Sequence, residues 1–341
     1  MRIETLLGER ELSTRESTST VRYIGQRVLQ SILIWFIIIT LNFIIFRVMP
    51  GDPRQALLGE GLSPDLRVAV IERFGLDQPL LVQYGLYIAN LFKGDLGYSF
   101  SHFGEPVTET IFEFRFTNTF ILMGASLVVA IIIGMLFGVL AAAHRDSVLD
   151  TGSTVVFLVA YAMPVFWIGV LLLYYMGFLW NLIPIAGTIT RGYEHVNFID
   201  YAYDYLHHMI GPWIVLTLSF IGGFYLIMRD SVLDVFTQDY ILAAKAKGLK
   251  ERTILYGHAM RNAMLPMISV IAVNIPYLVS GAMMTEFVFS WSGLGLLTYD
   301  SVLAVDYPVL QGVFLYLATI TIAANFIADL LYLYMDPRIR Y

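Results

Sequence analysis

The 341-residue chain contains no cysteine. That excludes a disulfide framework, thiolate catalysis and Cys-ligated zinc or iron–sulfur centres. Charge is scarce as well: Asp, Glu, Lys and Arg make up 14% of the chain while 57% is hydrophobic. An ordinary soluble domain carries roughly 25% charged residues. The mean hydropathy of +0.69 therefore places the chain in the membrane class before any motif is read. A formal net charge of −6 gives no reason to expect a nucleic acid. No GxxxxGK(S/T) phosphate loop, HExxH, GxSxG or EF-hand loop occurs, which argues against an enzyme and against ATP bound by this chain. No cleavable leader is expected either. The opening MRIETLLGERELSTRESTST is polar, and the first apolar run is too long for a leader's apolar region.

What is present is a series of long apolar runs. Crossing the hydrocarbon of a bilayer takes about 20 residues, and six runs suffice: residues 28–48, 117–143, 153–180, 210–228, 264–288 and 308–334. They are continuous rather than alternating, so helices are expected and a barrel is not. The expected fold is an all-α integral membrane protein with six transmembrane helices. If both termini are cytoplasmic, fourteen of the 21 Lys and Arg residues lie inside and seven outside, as the positive-inside rule prefers. Residues 1–27 then form a polar cytoplasmic tail, expected to be mobile, and residues 336–341 a second short one. Residues 49–112 form an outer cap with short helices. Ser63-Pro64-Asp65 has the chemistry of a helix start and Gly75 of its stop, and a second short helix is expected from near Pro79 to before Gly94.

The span interiors hold almost no ionisable residues. Glu286 and Asp329 are expected towards span ends, within reach of water. Ion-coupled carriers place Asp, Glu, His or Arg at membrane depth, and no inverted internal repeat is evident. If the chain moves a solute, the driving energy comes from elsewhere. A self-contained channel or carrier and a non-transporting scaffold remain as readings of a different class.

One segment stands apart: LAAKAKGLKERTILYGHAMRNAMLP, residues 242–266. Ala243, Ala244 and Ala246 are small and favour helix. Gly248 allows a positive-φ bend into a second helix beginning near Leu249. The lysines, Lys247 among them, hold the piece at the water side, and Pro266 marks where the next helix begins or kinks. Two readings stand: an ordinary amphipathic surface helix with snorkelling lysines, or a small-residue face presented to a partner.

This segment resembles the cytoplasmic EAA loop of ABC transporter permeases in the dipeptide/oligopeptide/nickel variant. Ala243, Ala244, Gly248, Leu249, His258, Arg261, Asn262, Ala263, Leu265 and Pro266 match by type and spacing. Four further segments follow the same family in order: RVMPGDPRQALLG, GLDQPLLVQYGLYIANLFKGDLGYSF, TEFVFSWSGLGLLTYDSVLAVDYPVLQG, and MDPRIR at the end. Ser292 departs from the family's proline, an exchange expected to loosen that turn. The resemblance implies a type I ABC importer permease fold, with residues 113–335 as its transmembrane domain and 239–266 as the ATPase-coupling loop. It also implies a second homologous permease subunit, two ABC ATPase subunits carrying ATP and magnesium, and an extracytoplasmic substrate-binding protein. No cofactor or metal would be held by this chain. Ala243, Ala244, Lys247, Gly248 and Leu249 would be the docking face, and His258, Arg261 and Asn262 braces between loop and spans. The cargo would be peptides, or else nickel complexes, glutathione or oligosaccharides.

Tyr161, Pro164, Trp167, Asn274, Pro276, Tyr277 and Ser280 are the polar, aromatic or kink-forming residues near span centres. They are candidates for a substrate path, though aromatic and small residues also simply pack helix bundles. Pro164 and Pro276 are expected to kink their helices. His195, Asp200, Asp204, His207 and His208 invite a metal reading, but His207 and His208 are adjacent and point apart on a helix. Phe198, Tyr201 and Tyr205 instead have the spacing of an interfacial aromatic belt.

Overall fold

A computed structural model of the protein describes residues 2–48, 65, 68, 77–102 and 104–335. The chain runs through α1 (Arg2–Val48), α2 (Leu80–Phe92), α3 (Val107–Phe112), α4 (Arg115–Ala143), α5 (Val148–Ala162) and α6 (Val165–Leu172), which passes into a π-helical stretch, Leu173–Leu179. There follow α7 (Phe198–Phe236), α8 (Asp239–Ala246), α9 (Glu251–Ile254) with a π turn over Leu255–Ala259, and α10 (Met260–Asn274). The last elements are α11 (Tyr277–Ser280), α12 (Met283–Val288), α13 (Leu294–Leu303) and α14 (Tyr307–Met335). Among the described residues the only β pairing is an isolated bridge, Tyr98 to Pro106.

Among the described residues, four helical stretches are long and apolar enough to cross a membrane: Arg22–Arg47, Val107–Ala143, Phe198–Phe236 and Tyr307–Leu330. A fifth exists if Val148–Ala162 and Val165–Leu179, bent by 98° at the Met163–Pro164 break, count as one span. Pro164, which has no N–H to continue a helix, stands at that break, whereas Pro212 lies inside α7. The fifth run, 264–288, is not one helix. Pro276 stands at the start of α11, and Gly281 at φ +78° ends it before α12 begins. Pro266 does not start α10; the helix already begins at Met260 and passes through it. Helix α1 continues back to Arg2, so the polar tail expected to be mobile extends the first apolar helix. The helix expected near Pro79 is α2, ending at Phe92, whereas the one over 63–75 and the motif MDPRIR fall essentially outside the described residues.

The core is the α4–α7 pair. On α4, Gly134 and Gly138 lie so close to α7 that an added Cβ would meet Phe224 Cβ and the Tyr225 carbonyl, each at 2.8 Å. Small residues four apart allow backbones to approach this closely in an apolar bundle. Around that contact cluster Leu127, Ala130, Val139, Ile221, Phe224, Met228 and Met267. On the other flank α1 lies along α14. Trp35 Nε1 donates to Thr319 Oγ1 at 2.9 Å, Asn42 Nδ2 donates to the Gln311 carbonyl at 3.0 Å, and Arg27 pairs with Asp329 at 3.2 Å.

Candidate functional site

The bent segment forms a defined elbow. Helix α8 closes through Gly248 N–H donating to the Lys245 carbonyl at 2.9 Å, with Gly248 at φ +74°. That backbone conformation suits glycine because a Cβ would crowd the following carbonyl. Lys250 then caps α9, a position or two beyond the start expected near Leu249. Ile241 and Ala244 are buried with Ile254 and Ala259 against Val235 and Phe236 at the end of α7. Leu242, Ala243, Lys245, Ala246, Lys247, Gly248 and Leu249 are exposed. Ala244 therefore does not stand on the exposed face with Ala243 and Lys247; it fixes the elbow to α7. The three-residue spacing from Ile241 to Ala244 carries that signal, since such residues share a helical face.

Asn262 Nδ2, on α10, donates to Tyr240 Oη of α8 at 2.6 Å. The side chains of His258 and Arg261 are exposed. Sequence reasoning passed over Tyr240 and Ile241, which do much of the anchoring.

The path candidates fall into two groups. Tyr161 and Trp167 flank the Met163–Pro164 break and are exposed, at 54% and 45%. Asn274 ends α10 with its Nδ2 donating to the Val270 carbonyl at 2.8 Å, and Pro276, Tyr277 and Ser280 form α11 and its cap. Helices α10 and α11 pack mainly on α4, α7 and α14 rather than on α5 or α6. The seven residues do not gather in a single lining.

Two carboxylates fix the opposite end of the bundle. Glu286, expected near water, is fully buried. Its Oε1 accepts from Thr119 Oγ1 at 2.9 Å and from Ala282 N–H at 3.3 Å, and its Oε2 accepts from Leu296 N–H at 3.0 Å. Thr119 Oγ1 in turn accepts from Leu294 N–H at 2.8 Å. Together they satisfy the first amides of α13, which would otherwise be orphaned in the interior. Beside them, Gly293 leaves room for the carboxylate: a Cβ there would lie 2.5 Å from Glu286 Oε2. At the Ser292 turn, Asn118 Nδ2 donates to the Ser292 carbonyl at 2.7 Å while Asn118 Oδ1 accepts from Tyr205 Oη at 3.1 Å. Tyr205 is thus buried in the bundle, whereas Phe198 and Tyr201 remain exposed as a belt requires.

Asp306, also fully buried, accepts from Phe100 N–H and Ser101 N–H, each at 3.0 Å, and from the hydroxyls of Ser99 and Ser101. Burial works to raise its pKa, but hydrogen bonds from His102, Ser99 and Ser101 outweigh it and hold the group at about 2.

The histidine-rich loop is engaged internally. His195 Nε2 lies 3.0 Å and His208 Nδ1 3.2 Å from the Asp204 carboxylate, which also accepts from Thr190 N–H at 2.7 Å. Asp200 accepts from Val196 N–H at 3.1 Å, and His207 Nε2 lies 3.2 Å from the Leu182 carbonyl. Among the described residues no three His, Asp or Glu side chains are arranged to hold a metal ion.

Long apolar helices, a broken helix pair and an exposed, glycine-bent elbow mark a multi-pass membrane protein. The chain belongs to the family described as binding-protein-dependent transport system inner membrane component, which it matches over residues 134–341, with that family's N-terminal membrane component matched over 20–125. It is similar to the oligopeptide transport system permease protein AppB of Bacillus subtilis (strain 168), with 38% identity over 319 residues, covering 94% of this chain and 99% of the relative. It is likewise similar to the dipeptide transport system permease protein DppB of Escherichia coli (strain K12), with 38% identity over 328 residues, covering 90% and 95%. It is the permease component of an ABC importer and resides in the inner membrane.

Proposed function

We propose that the chain forms half of the translocation pathway of an ATP-driven importer of peptides and that its elbow is the contact through which ATPase subunits drive it. One observation carries this reading. The elbow buries Ile241 and Ala244 against the end of α7 while leaving Ala243, Lys247, Gly248 and Leu249 exposed as a small-residue face. The peptide cargo follows the two relatives, which are named for oligopeptide and dipeptide transport. Both termini lie on the elbow's side, the cytoplasm. Residues 264–288 cross as a sixth, discontinuous span, since non-helical backbone is tolerated at membrane depth where protein buries it.

A second permease subunit completes the pathway. Two ATPase subunits bind ATP and magnesium and carry out the hydrolysis, and an external binding protein delivers the cargo. Tyr161, Pro164, Trp167 and Tyr277 are exposed and available for such a role. His258 and Arg261 brace the elbow within the assembled complex.

The test is co-purification from membranes followed by reconstituted uptake, with Gly248→Val as the decisive variant. A β-branched residue at φ +74° costs about 1–2 kcal/mol locally, and its Cβ would have no atom within 4 Å. The chain therefore folds, while uptake per ATP falls. Recovery of no ATPase subunit with the wild-type chain, or full coupling in the variant, refutes the reading. Uptake of nickel or sugars in place of defined peptides redirects the cargo only.

A further inference from the structure

The ion pair between Asp150 and Arg229 is not part of the elbow or of the exposed path, yet it lies between them. Arg229 Nε donates to Asp150 Oδ1 at 2.7 Å and Nη2 donates to Oδ2 at 3.0 Å. Asp150 is 3% exposed, and it also accepts from Asp146 N–H at 3.0 Å while its own N–H donates to the Ser147 cap at 3.2 Å. Further along α5 the hydroxyls of Ser153 and Thr154 lie 2.9 and 2.8 Å from Tyr225 Oη. Beyond them Gly222 admits α5 so closely that an added Cβ would lie 2.5 Å from the Phe157 carbonyl and 2.5 Å from Tyr161 Cβ. Helix α5 is thus fixed to α7 at successive levels from Arg229 to Gly222. The same helix α7 ends at Phe236, which packs under the elbow.

At its other end α5 stops at Met163, and α6 departs at 98°. Helix α6 packs on the α12 region, with Gly169 against Val288 and Phe289, and on an earlier level of α7, where Val165 and Ile168 cluster with Val215. We propose that Asp150 and Arg229 are the positioning residues that make the α5 half of the broken span follow α7, so that displacement of the elbow becomes a change of angle at the Tyr161–Trp167 break. A two-pronged guanidinium–carboxylate contact suits this task because it fixes orientation as well as distance. Apolar packing alone would let α5 roll about its own axis. The inference rests on the elbow's being the ATPase contact.

The experiment compares wild-type, Asp150→Asn and Arg229→Lys chains in the complete complex reconstituted with its ATPase subunits and binding protein. Uptake and ATP hydrolysis are measured in the same vesicles, and melting of the complex reports its integrity. In Asp150→Asn, uptake per ATP falls roughly tenfold, the scale of an ordinary coupling free energy between sites, with hydrolysis largely kept. Arg229→Lys retains the charge but loses the fork, and it gives a smaller fall in a complex that melts like wild type. If Asp150→Asn fails to assemble, the lysine variant decides. A wild-type ratio of uptake to hydrolysis in either well-assembled variant, or parallel loss of both activities, overturns the joint alone. A wild-type complex without ATP-dependent uptake overturns the parent reading, and the joint with it.

Discussion

Glu286 and Asp306 show how single side chains organise this protein. Each is a fully buried carboxylate surrounded by donors, and each ties a late stretch of chain to an early one, Glu286 to Thr119 and Asp306 to Ser99 through Ser101. Asp306 predicts a pH dependence. Its folded pKa of about 2 lies below its ordinary 3.8, a difference equivalent to roughly 2 kcal/mol. A depressed folded value means stability that is fully present above 3.8 and lost as pH falls through about 2. The melting gap between wild type and Asp306→Asn should be widest near neutral pH and close progressively below pH 4; a gap independent of pH counts against this role. The residues were legible, their roles less so. TEFVFSWSGLGLL stood out as a motif, but sequence holds nothing to say that residue 119 lies beside residue 286, so Glu286 read as a carboxylate near water. Gly248 was readable because its need, a positive φ, is local.

Among the elements, α4 and α7 matter most, and glycine sets their separation. In Gly138→Val the new side chain meets the Tyr225 carbonyl at 2.8 Å and Met228 Cβ at 2.9 Å, neither of which can swing aside. Overpacking of this kind costs about 1–3 kcal/mol, so the variant's melting midpoint in detergent should drop by several degrees. Gly124→Val is the control: nothing lies within 4 Å of its added Cβ, and its midpoint should hold. Element boundaries were legible where proline acts alone, as at Pro164. They were not where several residues act together. The run 264–288 is apolar enough to read as one span, yet Pro276 and Gly281 divide it, and the α12 that follows carries Glu286, which accepts from Leu296 N–H in α13. Ala244 was misplaced for a similar reason, its small size outweighing its spacing from Ile241.

For the whole molecule, the proposed orientation has a direct check. The chain has no native cysteine, so one introduced at exposed Lys247 or Arg191 is the sole thiol. In intact cells an impermeant maleimide should label Arg191→Cys and leave Lys247→Cys untouched until the membrane is opened. The reverse pattern would invert the topology. That the chain belongs in a membrane was plain from composition, whereas the number of crossings was not, because hydropathy measures apolar length and is blind to a bend such as the one at Met163.

The clamps at Glu286 and Asp306 also imply an order of synthesis. Both carboxylates leave the ribosome after the partners that receive them, which lie some two hundred residues earlier for Asp306 and 167 earlier for Glu286. Ser99 and Thr119 lie in the first-made half of the polypeptide. A nascent product released before residue 286 lacks both anchors. It would expose unpaired hydroxyls and amides in an oily setting, a ready mark by which membrane quality control could tell an unfinished copy from a complete one.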